Sequence, residues 1–437
     1  MGLSSSPKLG MWAATLVNVN VIIGAGIFLN ASPLCKMAGG WGFLAYPIGL
    51  LILMPVILTI SEMTIMRPSV GGLYANARDF LHPAAGFLGG WSYFLGKAIS
   101  SALLSHTFVM FFHRRFAFLQ IFPVTLLDTI FIFGLAGMNI AGVRLGGKVQ
   151  WVFALIRLLP IGFVIFCGIA ALFMGVESTV AWGDMTGLMD TLPLAIFALG
   201  SFEVTATIAH MIEDPAHTAR KIIVTSVMIV VTAYLFFQLS ISYILGNSLA
   251  SSVEPVLRVS NFLFPGVPRL GLFMNNVVFF SMISGAFGLL ANNCWNLFAL
   301  ANDQWLPYKS ALTKINVMDS PWVSLLVEAG FASAALAFTR RQIPLQSMAV
   351  LAAVVAYLLV SLAALRASKT SKHPLYVGII SLAAVGSCVY IGWKCLERIM
   401  SVGLSVSFLF LFSIGIIAAI ANKFVKGRRG PFFNAMH

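Results

Sequence analysis

The stretch VIIGAGIF at Val21–Phe28 sets two glycines, Gly24 and Gly26, inside the uncharged run Leu9–Cys35. Roughly 20 apolar residues cross a bilayer, so this run spans one and its glycines fall near mid-membrane. Each glycine costs a helix interior about 1 kcal/mol relative to alanine. The backbone at Ile23–Ile27 is therefore expected to leave the helix and to have another use. A second interruption, FALGSFE at Phe197–Glu203, falls near the middle of a later apolar segment. Breaks at corresponding places in two halves of a membrane chain point to a ligand site between them.

Hydrophobic residues make up 59% of the 437 and charged residues 9%. A soluble domain could not cover itself with so little polar surface. Two further uncharged runs, Ile222–Val253 and Ser401–Asn422, are also long enough to span. The pattern predicts an all-α polytopic membrane protein with twelve spans, near 11–30, 42–65, 84–112, 119–141, 148–174, 189–212, 221–246, 272–302, 321–339, 343–366, 374–393 and 402–423. The third and fourth carry the weakest signal, because Lys97, Arg114, Arg115 and Asp128 interrupt it. No small-residue cleavage site follows a short apolar core at the start, so the first segment reads as a retained span and not as a signal peptide.

A net charge of +13 would suit a nucleic-acid partner, but its distribution follows membrane topology. With both termini in the cytoplasm, the larger share of Lys and Arg lies on that side. The main contributors are Arg67/Arg78, Arg144/Lys148, Arg220/Lys221, Lys309/Lys314, the Arg366–Lys372 loop and the tail Lys423/Lys426/Arg428/Arg429. Plasma-membrane proteins show this bias, so lipid headgroups are the expected partner of these charges and nucleic acid is not. Arg114–Arg115 and Arg340–Arg341 run against it. Cys35, Cys167, Cys294, Cys388 and Cys395 have no C-x-x-C spacing and read as small buried hydrophobes. The seven histidines form no ligand pair, and His106 reads as helix packing ahead of proton shuttling. GVRLGGK at 142–148 lacks the spacing of a phosphate-binding loop. No metal, cofactor or catalytic constellation is expected, and hence no enzyme.

Several motifs resemble the amino acid–polyamine–organocation permeases. VIIGAGIF is similar to their first-span signature, and PSVGGLYANARDFLHPAAGFLGGW at 68–91 to their loop between spans two and three. NIAGVRLGGKVQWVFALIRLLPI at 139–161 resembles the junction of spans four and five. IFALGSFEVTATIAHMIEDPAHTARKI at 196–222 resembles span six and its following loop, and FALANDQWLP at 298–307 the end of span eight. The resemblance runs in order from about Trp12 to Phe424. It implies a LeuT-type fold: two inverted repeats at 11–175 and 189–366, two further helices at 374–423, and a short cytoplasmic tail at 424–437. It also implies a carrier of amino acids working by alternating access. A polyamine or organic-cation carrier, or a non-transporting sensor on the same fold, are the alternatives.

Under that resemblance the two breaks face each other. Free N–H groups at one half-helix start and free C=O groups at another's end carry opposite partial charges, which suits the two ends of an α-amino acid. Ile23, Gly24, Ala25, Gly26 and Ile27 are then expected at the carboxylate, and the carbonyls of Phe197, Ala198, Leu199 and Gly200 at the ammonium. Phe197 matches an aromatic gate. This chain departs from the family at Leu199-Gly200-Ser201-Phe202-Glu203, where the glycine has moved one place and a serine replaces it, so the unwinding is expected to shift or shorten.

Ionisable residues inside a membrane are functional candidates by default. Glu203 follows the second break and reads as a proton acceptor, or as a member of a structural salt bridge. Lys97 corresponds to a site facing the distal end of the substrate in arginine–agmatine exchangers. It either binds an acidic or polar substrate or neutralises Glu203. Arg157 aligns with a lysine near the sodium position of other LeuT-type carriers; arginine does not release its proton, so a fixed cation in place of sodium is expected. Asn293 and Cys294 are further gating candidates. Glu62, Arg67, Arg78 and Asp79 form an inner charge network or simply face solvent. Asp128 and Glu328 face neighbouring helices, water or a second copy of the chain, which leaves a homodimer open.

Overall fold

The computed structural model describes residues 9–66, 72–142, 147–182, 185–208 and 212–425. Arg67, Arg144 and the tail cations Lys426, Arg428 and Arg429 lie outside them. Within lipid a chain must satisfy its backbone polar groups internally, which makes the apolar segments helical. The first forms two helices, α1 (Met11–Ile22) and α2 (Gly26–Ala38). Then come α3 (Ala45–Met66), the short α4 (Gly72–Phe80), α5 (Pro83–Arg115), α6 (Val124–Ile140) and α7 (Gly147–Phe173). The sixth apolar segment is split into α8 (Leu192–Leu199) and α9 (Val204–Ile208). The remainder is α10 (Pro215–Leu245), α11 (Pro255–Leu263), α12 (Pro268–Asn302), the single turn α13 (Lys309–Leu312), α14 (Trp322–Phe338), α15 (Gln342–Ala367), α16 (Pro374–Met400) and α17 (Ser405–Val425).

Among the described residues nine helical stretches are long and apolar enough to cross a membrane; Met11–Ile22, Val124–Ile140 and Trp322–Phe338 are shorter apolar helices. Counting each split segment once, the described residues form twelve apolar helical segments, in line with the twelve spans expected. Some boundaries move. α10 starts at Pro215, ahead of the expected 221, because proline at the first helical turn needs no partner for its nitrogen. α16 runs past 393 to Met400: Lys394 pairs with Glu397 one turn on, at 3.2 Å, so charge does not end the helix. Lys97 does not interrupt α5, and Arg114 and Arg115 occupy its last turn, where the helix dipole favours cations.

α5 is the central post, packed along α12 and α15. Phe94, Ala98 and Ala102 on it are fully buried. Its hydroxyls turn back to their own helix, Ser92 to Leu88 O and Ser100 to Gly96 O, which lets polar side chains enter an apolar core. α10 packs against α1, α3 and α7, while α17 lies outside and is tied to α5 where Trp91 Nε1 donates to Phe412 O at 2.9 Å. All five cysteines are buried with free thiols.

Candidate substrate site at two helix breaks

Ile23 leaves α1 at φ −67°, ψ 82°, with its N–H still bonded to Val19 O. Gly24 N–H turns back to Ile22 O at 2.7 Å, and Ala25 leads into α2. The carbonyl end of α1 and the N–H end of α2 thus meet at Ile23–Ala25, with opposite partial charges. Gly26 is sterically required: a Cβ there would lie 2.8 Å from Ala198 Cα. Gly24 has room, since its nearest neighbour would be Ile22 O at 3.8 Å. Ile23, Ala25 and Ile27 are buried.

α8 closes at Leu199, and Gly200 is extended at ψ 168°. Ser201 then takes the left-handed conformation at φ 73°, which is unfavourable for a residue with a Cβ. The helix resumes at Val204, whose N–H reaches Ser201 O. The unwound stretch therefore runs from Gly200 to Glu203, and the serine occupies the left-handed position. Ala198 and Leu199 are buried and Phe197 is half-buried. Asn30 on α2 donates to Leu194 O on α8 at 2.8 Å, and its own Oδ1 accepts from Gln346 on α15. That side chain ties the two broken passes together, and no charge or glycine marks it in the sequence.

Glu203 is 1% exposed and both its carboxylate oxygens are engaged. Oε1 lies 3.1 Å from Lys97 Nζ and accepts from Tyr93 Oη at 2.8 Å; Oε2 accepts from Tyr357 Oη at 3.0 Å. Lys97 also donates to Ser201 Oγ at 2.9 Å and lies over the Tyr93 ring. Of the two roles open to Lys97, the neutralising one matches this geometry. Tyr93 and Tyr357 escaped the sequence reading, although Tyr93 sits four residues before Lys97 on the same helical face.

Arg157 on α7 is half-buried and bridges the end of α1 to α12. Nη1 donates to Ile23 O at 3.4 Å and Nη2 to Ser284 Oγ on α12 at 2.8 Å. Tyr234 on α10 donates to Ile22 O at 3.3 Å. At the end of α1, Ile23 O is thus met by a cation, and Ile22 O by a phenol as well as by Gly24 N–H.

Residues 14–424 match the sequence profile of the family described as amino acid permease. The chain belongs to that family. An L-asparagine permease of Salmonella typhimurium is 28% identical over 63% of this chain and 58% of its own length. An L-asparagine permease of Escherichia coli is 27% identical over 63% of the chain and 58% of its own. A serine/threonine exchanger of Bacillus subtilis is 24% identical over 91% of the chain and 93% of its own. The chain thus spans 58% of the length of the two asparagine permeases.

Other polar residues of the chain stand away from the breaks. Asn293 on α12 turns to Phe94 O on α5 and to Glu328 on α14, and Cys294 beside it is buried. Asp128 on α6 is paired with His106 on α5 at 3.0 Å and with Arg340 at 3.4 Å, so His106 does more than pack. The expected inner network divides in two. Glu62 on α3 pairs with Arg220 on α10, while Arg78 on α4 bonds Asp79 at 2.8 Å and Asp303 at 3.1 Å. The bonded Asp79 carboxylate holds the Arg78 guanidinium above its ordinary range. Burial and the bonded Asp303 carboxylate push the Tyr74 phenol up.

Proposed function

We propose that this permease carries small neutral amino acids across the membrane by alternating access, exchanging one for another. The observation that carries the reading is the meeting of Gly26, at the start of α2, with Ala198, near the end of α8. N–H groups at 25–27 suit the substrate carboxylate, and carbonyls at 197–200 suit its ammonium. Lys97 and Glu203 cancel beside these ends, so no net charge awaits a basic or acidic side chain. The relatives' names, asparagine permease and serine/threonine exchanger, fit a small polar substrate.

In this reading the passes at 11–175 and 189–366 are two inverted repeats, with 374–423 appended, both termini in the cytoplasm and the chain in the plasma membrane. Binding energy shifts the populations of outward- and inward-open states, and no covalent chemistry is involved. Arg157 acts as a permanent cation at Ile23 O, where sodium is not needed. Phe197 closes over the substrate. The test is counterflow in proteoliposomes with labelled acidic, neutral and basic amino acids. Saturable exchange of the small neutral ones is expected; exchange of arginine or glutamate alone would overturn the reading.

A further inference from the structure

Glu328 lies in the second turn of α14 and is 0% exposed. Its Oε1 accepts from Asn293 Nδ2 at 2.8 Å, and its Oε2 has no hydrogen-bond partner. Glu203, by contrast, is met by a lysine and two tyrosine hydroxyls. Glu328 has one amide. From α12 its titratable neighbour is the buried Cys294 thiol. On α5, Lys97 is held by Ser201 and Glu203. On α6, Asp128 is held by His106 and by Arg340, beyond the far end of α14. On α13, Lys309 is bonded to Asn302 O, and on α17 Lys423 is exposed. An ionised carboxylate left with one neutral donor in such a place is strongly disfavoured, whereas the neutral acid is tolerated.

We infer that Glu328 is a proton-binding site separate from Glu203, carrying a proton while buried and exchanging it with water when α5 moves against α12. The link is Asn293. Its single amide nitrogen serves both Phe94 O on α5, at 3.0 Å, and Glu328 Oε1 on α14. Loss of the proton to water leaves a carboxylate that competes for both amide hydrogens, and the bond to Phe94 is released. Phe94 is one turn from Lys97, so the protonation of Glu328 is tied to the helix that carries the charge pair. Asn293 is a positioning residue here.

The test has two readouts, and only the second rests on the transport reading. Infrared difference spectra of the reconstituted full chain should show the C=O stretch of a protonated carboxyl at neutral pH, lost in Glu328→Gln, kept in Glu203→Gln and moved in Glu328→Asp. With a pH-sensitive dye inside the vesicles, proton movement accompanying amino-acid flux should be present in wild type and lost in Glu328→Gln, while counterflow persists. Absence of the band in wild type, or its survival in Glu328→Gln, overturns the inference even if nothing is transported. Unchanged proton movement in Glu328→Gln overturns it where transport is measurable.

Discussion

Lys97 Nζ on α5 lies 3.1 Å from Glu203 Oε1 in the unwound stretch after α8. The side chains are 14% and 1% exposed, so the pair is screened little by water. It fixes the second break to the central helix, and in the proposed site it cancels charge beside the substrate.

Removing one partner should cost far more than removing both. Lys97→Met or Glu203→Gln strands a buried charge, a loss of about 3–5 kcal/mol in stability, whereas the double variant recovers most of it. Thermal unfolding of the solubilised protein measures this. Additive losses would mean that the two charges do not depend on each other.

Ser201 holds the left-handed backbone with a side chain that also accepts from Lys97. Ser201→Gly and Ser201→Ala both lose the hydroxyl, but only alanine keeps the Cβ strain. The glycine variant should therefore be the more stable of the two by about 1 kcal/mol. Equal stabilities would place the strain elsewhere.

Both breaks are legible because glycine at membrane depth is costly unless the backbone needs it, and Gly26 indeed meets Ala198 with no room for a methyl. Ser201 is not legible in this way, since serine has no preference that announces a left-handed turn. The partners of Glu203 are hidden for another reason: Tyr357 is 154 residues away and joins it only through the packing of α15. Asp128 and Glu328 look alike in sequence, each an acid in an apolar helix. Their partners separate them, a histidine and an arginine for the first and an amide for the second.

Arg157 predicts indifference to sodium. Replacing sodium by potassium should leave wild-type flux unchanged, since the guanidinium already meets Ile23 O and Ser284. Arg157→Lys should acquire a proton dependence of uptake beyond that carried by Glu328, one that persists in Arg157→Lys/Glu328→Gln, because a buried lysine can lose its proton where arginine does not. Sodium-dependent flux in wild type would contradict the fixed-cation account.

Gly26→Ala should separate folding from transport. Its methyl forces α2 away from α8, so exchange should fall about tenfold, equivalent to about 1.4 kcal/mol, while the protein still purifies as a folded species. Gly24→Ala, whose methyl would make an ordinary contact with Ile22 O at 3.8 Å, should cost less. The check is initial counterflow rate for each variant at matched reconstitution.

In the proposed site the opposed helix ends recognise both ends of an α-amino acid. The most direct measurement is competition against counterflow of labelled serine by unlabelled serine, serinamide and N-acetylserine. Serine should compete, and the two derivatives, each lacking one terminal charge, should not. Competition by serinamide or N-acetylserine as strong as that of serine would contradict recognition by the paired breaks.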